Sequence, residues 1–151
     1  MTLLEILQSA RALLDRGWTT KTLARSANAI ACQFGSPHAT HFCLVGALRR
    51  SAQGLSLLST DPGLPCCQSP LQPHVTDLYR ATIERLTLNL GIPHEPIPEE
   101  DHCISLTRWN DMPGRTQAEV LDLIDRALLS LRPEEPPAKP GTQPEEENHG
   151  R

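Results

Sequence analysis

Trp109-Asn110-Asp111-Met112-Pro113-Gly114-Arg115-Thr116, running into Gln117-Ala118-Glu119-Val120, decides the architecture of this chain. A core-type aromatic is followed at once by turn-forming residues, and these by a helix start. Thr116-Gln117-Ala118-Glu119 reads as a capping box, in which the threonine hydroxyl and the glutamate carboxylate each satisfy a backbone N–H of the first turn. Val120, Leu121, Ile124, Ala127, Leu128 and Leu131 then recur at helical spacing and predict the last helix. Upstream, Asp101 is placed to cap a short helix over His102–Trp109, with Ile104, Leu106 and Trp109 as its apolar contacts.

Working outward to the amino end, Thr2-Leu3-Leu4-Glu5 is a second capping box. Leu3, Leu4, Ile6, Leu7, Ala10, Leu13 and Leu14 predict a helix over residues 3–16, with Gly17 as its stop. Lys21 to Ala29 reads as a short second helix with Leu23 and Ala27 inward, and Ile30–Phe34 as a short extended piece. Ala39 to Gln53 predicts a third helix. Its run of small apolar residues around Gly46 makes it the central and most buried one, because small side chains let helix backbones approach. Gly46 costs a helix interior about 1 kcal/mol relative to alanine, so a packing reason is expected for it. Residues 54–72, rich in proline and glycine, form a long irregular connection. Pro73 opens a helix that Gly91 ends, and residues 92–98 are a proline-stiffened linker. No alternating strand pattern is evident. The expected fold is therefore all-α: a compact single-domain bundle of four to six helices over residues 1–131.

Residues 132–151 contain five prolines and five glutamates and almost nothing apolar. Such a segment cannot bury enough surface to offset its ordering entropy, and a disordered tail is expected. The net charge is −4, of which the tail carries −2, so the body is nearly neutral and lacks the broad basic face of a nucleic-acid binder. A local basic patch at Arg49-Arg50 or at Arg80 and Arg85 remains compatible with these numbers. No run reaches the roughly 18 apolar residues that span a bilayer. Met1-Thr2-Leu3-Leu4-Glu5 has no basic region and an early acid, unlike a signal peptide. Five scattered cysteines then read as reduced thiols of a cytoplasmic protein.

Gly17-Trp18-Thr19, Ala39-Thr-His-Phe-Cys43-Leu-Val-Gly46-Ala47-Leu48, Trp109-Asn110-Asp111 and Thr116-Gln-Ala-Glu119-Val120 occur in that order. Together, over residues 2–131, they resemble a family of small bacterial and phage-borne helical proteins of unknown function that share Cys-x-x-Gly-Ala-Leu and Trp-Asn-Asp motifs. The resemblance implies a compact helical domain and a phage or mobile-element setting. It brings no activity with it.

Three groups of residues could carry chemistry. His38, His41 and Cys43, with His102-Cys103 and Cys66-Cys67, include zinc-ligand types, but there is no Cys-x-x-Cys pair and no closed-site spacing, so no metal is assigned. Cys43 falls near a helix start, where the dipole lowers a thiol pKa, with His41 or His102 as base and Asp111 or Asn110 as orienter. The bland alternative is a buried cysteine acting as a small hydrophobe. Trp109, Asn110, Asp111 and Arg115 could hold a polar or anionic ligand. The same residues also suit a corner, where asparagine and aspartate bond nearby backbone and the tryptophan plugs the core. Turn chemistry favours the structural role. The arginines and glutamates of the third and fourth helices read as a solvated face.

The functional expectation is a non-enzymatic accessory or regulatory protein that binds a protein partner, has no cofactor, and acts as an inhibitor or modulator of a host system. The alternative is a small metal-binding or cysteine-dependent enzyme centred on Cys43, His41 and His102.

Overall fold

The computed structural model describes residues 2–53, 73–91 and 99–131, and for residues 73–75 and 99–102 the backbone course alone. In chain order the elements are α1 (Leu3–Arg16), β1 (Ala24–Ser26), β2 (Ala31–Cys32), β3 (Ala39–Phe42), α2 (Leu44–Gln53), α3 (Pro73–Asn89), α4 (Glu99–Asn110) and α5 (Gln117–Leu129). Among the described residues there are thus five helices and one three-stranded antiparallel sheet, ordered β2-β1-β3. The all-α expectation is wrong: the fold is mixed α/β. The irregular connection at 54–72, the linker at 92–98 and the tail at 132–151 lie outside the described residues.

One expected helix, and the start of another, gave way to strands. The residues read as a helix over Lys21–Ala29 instead form β1 and the turn after it, and the start of the expected third helix, Ala39–Phe42, is β3. Local propensity favoured helix in Lys21-Thr22-Leu23-Ala24-Arg25, but pairing to distant backbone overrode it. Ala24 lies opposite both Cys32 and Phe42, and Arg25 opposite Ala31 and His41. These pairs put Ala24 and Phe42 on the core face, at 0% and 3% exposure, and Arg25 and His41 on the other.

The β1–β2 hairpin closes through a three-residue loop. Ala29 N–H donates to Ser26 O at 2.9 Å, Ser26 N–H donates to Ile30 O at 2.9 Å, and Ala29 is left-handed at φ 59. This is the bonding of a three-residue hairpin loop that ends in a left-handed residue, a position where glycine is the usual occupant. Alanine there hid the hairpin from the sequence reading. Ala29→Gly is expected to stabilise the protein by about 0.5–1 kcal/mol, since the left-handed conformation costs an L-residue about that much or more; the denaturant midpoint measures it.

Both capping boxes are present. Thr2 N–H donates to Glu5 Oε2 at 2.7 Å and Glu5 N–H to Thr2 Oγ1 at 3.2 Å; Thr116 and Glu119 repeat the pattern at 2.8 and 3.3 Å. α1 ends before Gly17 as expected, but for another reason. Gly17 is extended (φ −179), a conformation open to any residue. What requires glycine is space: a Cβ would stand 2.7 Å from Thr40 O and 2.8 Å from the His41 ring. Gly17 O accepts Phe42 N–H at 3.0 Å and Thr19 N–H donates to Phe42 O at 3.1 Å, so residues 17–19 run alongside β3 and cover that edge of the sheet.

α2 is the buried centre: Leu44, Val45, Gly46, Ala47, Leu48, Ser51 and Ala52 are all inside. α1, α3 and α4 pack around it, and α5 packs on α1 and α3. Side chains of α5 also finish its neighbours. Gln117 Nε2 donates to Leu14 O at 2.7 Å and to Asp15 O at 3.1 Å at the end of α1. Arg126 donates to Asn89 O at 2.9 Å at the end of α3. These carbonyls have no partner within their own helices. Arg11 grips Asp125 with two bonds across α1 and α5. α4 is longer than the expected His102–Trp109 and contains Asp101 rather than being capped by it. Ile104 points to solvent at 43% exposure, contrary to its expected packing role, whereas Leu106 is fully buried.

Candidate functional site

The residues expected to carry function meet where the end of α4, the segment after α1 and the start of α2 converge. Asn110, the last residue of α4, is 0% exposed. Its Oδ1 accepts Trp18 Nε1–H at 2.9 Å and the backbone N–H of Leu44 at 3.1 Å. Its Nδ2 donates to Thr19 O at 3.3 Å and to Asp111 Oδ1 at 2.8 Å. One amide thus joins three segments far apart in sequence and satisfies an N–H of the first turn of α2, a group that no intrahelical carbonyl can reach. Asp111 in turn accepts Lys21 N–H at 2.9 Å, and Lys21 is held left-handed at φ 63.

Beside this joint, Cys43 caps α2. It is 3% exposed, and its Sγ accepts Gly46 N–H at 3.3 Å. Its own N–H donates to Leu23 O at 3.1 Å. That carbonyl presses on the first turn of α2 so closely that a Cβ at Gly46 would lie 1.9 Å from it. Cys-x-x-Gly-Ala-Leu is therefore legible as packing. Cysteine caps, glycine admits a crossing backbone, and Ala47 and Leu48, both 0% exposed, fill the core. His41 is half-buried on the outer face of β3, with its Nδ1 2.9 Å from Thr40 Oγ1 and its ring against Gly17. His102 belongs to α4, and its side chain lies outside the described residues. Among the described residues no three His, Cys, Asp or Glu side chains gather as a metal site.

Arg115 stacks on Trp109, its guanidinium carbon 4.0 Å from the ring centroid. It also donates to Trp109 O at 3.1 Å and to Glu119 Oε1 at 2.9 Å. The backbone N–H of Thr116, then its hydroxyl, then the Arg115 charge hold the Glu119 carboxyl below its ordinary 4.5. The Thr2 backbone N–H does the same for Glu5. A depressed folded-state value stabilises the fold above the unfolded value and ceases to do so as pH falls through the folded one. Stability contributed by the two boxes is therefore expected to be constant above about pH 5 and to fall below the ordinary 4.5. Thermal melts of the wild type and of Glu119→Gln should converge in acid.

A second cluster escaped the sequence reading. The Arg49 guanidinium carbon is 6.0 Å from the Phe34 centroid and 5.8 Å from that of Tyr79. Tyr79, 7% exposed, has its hydroxyl 3.4 Å from Cys103 Sγ. Burial, then the neighbouring Cys103, push the Tyr79 phenol well above its ordinary value, with Arg49 opposing. It draws one residue from the turn after β2 and one each from α2, α3 and α4, so no local spacing announced it.

No described helix is long and apolar enough to cross a membrane. A family profile described as "Family of unknown function (DUF6197)" matches residues 1–128. No curated protein and no solved structure matches the chain.

Proposed function

The chain belongs to the DUF6197 family, a family of unknown function, and we propose that it is a non-enzymatic accessory or regulatory protein acting by macromolecular binding. Its partner is a protein, its compartment the cytoplasm, and its setting a phage or mobile element in which it modulates a host system. Asn110 is the observation that carries this reading. The residue with the best claim to hold a polar ligand is fully buried, and both ends of its amide are bonded within the chain. The Cys43 thiol likewise accepts a helix N–H, and Arg115 is spent on Trp109 and Glu119. Polar groups engaged in this way hold a scaffold, and a scaffold acts through its surface.

Affinity capture from the native host followed by mass spectrometry tests the role; a saturable protein partner is expected. Iodoacetamide at neutral pH tests the enzymatic alternative. Cys43 in the folded protein is expected to resist alkylation and to react after unfolding, since a buried, engaged thiol is inert. Selective labelling of Cys43 in the native protein would replace the binding role with a thiol enzyme.

A further inference from the structure

Resting on that binding role, we propose that the outer edge of β2 receives an extended acidic segment of a partner protein as a fourth strand. β1 is interior to the sheet, and residues 17–19 cover the far side of β3. Among the described residues no strand pairs with the far side of β2. The Ser26–Ile30 bond fixes the alternation of the hairpin: Ala24 and Cys32 form a bonded pair, and Arg25 and Ala31 a non-bonded one. The N–H and C=O of Ala31 consequently point away from β1. Ala31 is exposed, and Ile30 beside it is 65% exposed. Native edges are commonly blunted by charge or proline, yet Ile30-Ala31-Cys32-Gln33 has neither.

Charge selects the occupant. From Arg16 to Thr60 there is no aspartate or glutamate, against five basic residues: Arg16, Lys21, Arg25, Arg49 and Arg50. The rest of the chain has nine basic residues against eighteen acidic ones. The hairpin, which contains Arg25 and no acidic residue, thus lies within a positive segment of a negative protein, with Lys21 just before it and Arg16, Arg49 and Arg50 on the flanking helices. Arg25 stands opposite Ala31 on the outer face, and its guanidinium is held by Thr19 Oγ1 at 3.0 Å and Ala29 O at 2.8 Å. Lys21 is exposed nearby in sequence, with Asp111 on its backbone N–H. A second copy joining β2 to β2 would bring two positive hairpins together, which is unfavourable. A polyanion without a peptide backbone would leave the Ala31 donor and acceptor unused. An acidic strand satisfies both, its main chain giving affinity and its side chains charge complementarity.

The full-length, nitrogen-15-labelled protein is titrated with an alternating Glu-Val peptide, an alternating Lys-Val peptide, a Glu-Val peptide interrupted by prolines, and a single-stranded oligonucleotide. Saturable amide shifts centred on Ile30–Gln33 are expected with the uninterrupted Glu-Val peptide alone, weakening as salt is raised. Ala31→Pro removes an N–H that the sheet does not use. It is expected to weaken binding at least about tenfold while leaving the thermal melt unchanged. Lys21→Glu, on an exposed side chain, is expected to weaken it about threefold. The proposal is overturned by absent or unsaturable shifts, by an equal response to any of the other three probes, or by binding indifferent to both substitutions. Self-association through Ile30–Gln33 without peptide overturns it in favour of a second copy. Binding that emerges only after Glu145, Glu146 and Glu147 are changed to glutamine overturns it in favour of the chain's own tail. Host-partner capture that survives Ala31→Pro overturns this inference alone and leaves the binding role standing.

Discussion

Gly46→Ala is expected to lose about 3 kcal/mol of stability, the upper part of the range for overpacking a filled interior. The added methyl would sit 1.9 Å from Leu23 O and 2.8 Å from Leu23 C, so backbone rather than a flexible side chain must move. Moving that carbonyl also disturbs its bond from Cys43 N–H. Alanine's better helix propensity returns about 1 kcal/mol, too little to reverse the sign. For a domain of this size the melting temperature should fall by about 10 °C. Gly35→Ala is the control, because nothing lies within 4 Å of a Cβ there. Comparable melts for the two variants would show that the Leu23 crossing yields without cost.

Asn110→Leu is expected to cost about 3 kcal/mol, more than most single substitutions. It keeps the side chain's size and removes the oxygen that receives Trp18 Nε1–H and Leu44 N–H. A buried donor left without a partner costs about 1–3 kcal/mol, and Leu44 is 0% exposed. Thr19 O loses its donor as well. Asn110→Asp separates hydrogen bonding from bulk. The introduced carboxyl restores the acceptor but, where Nδ2 stood, faces Thr19 O and Asp111 Oδ1. Burial and the neighbouring carboxylate raise its pKa in the folded state, so this variant should be least stable at neutral pH and recover as pH falls toward the carboxylate range. Equal stability of Asn110→Asp at pH 7 and in mild acid would contradict the assignment of the amide donor.

The two capping boxes, the limits of α1 and the course of α5 were legible because each depends on groups within one turn of each other. The apolar faces of Ile6, Leu7, Ala10 and Leu14, and of Val120, Ile124 and Ala127, follow from helical spacing, whereas the fully buried Leu123 was passed over in favour of the half-buried Leu121. The Trp-Asn-Asp corner could be singled out from its turn chemistry. Its partners could not, because Trp18 and Leu44 are 92 and 66 residues away from Asn110.

The amino-acid sequence by itself determined where α1, α3 and α5 begin, most of the apolar faces of α1 and α5, and that Gly46 needed a reason. Those are properties of neighbours along the chain. Tertiary structure decided that Ala24–Ser26, Ala31–Cys32 and Ala39–Phe42 form a sheet: strand pairing joins distant backbones, and here it overrode local helix propensity with an alanine in the glycine position of the turn. It also decided what Gly17 and Gly46 are for, since both answer to a backbone crossing from elsewhere, Thr40 on one and Leu23 on the other. The joint at Asn110 arose in the same way: a single amide acquires its role only when three separate segments arrive at hydrogen-bonding distance.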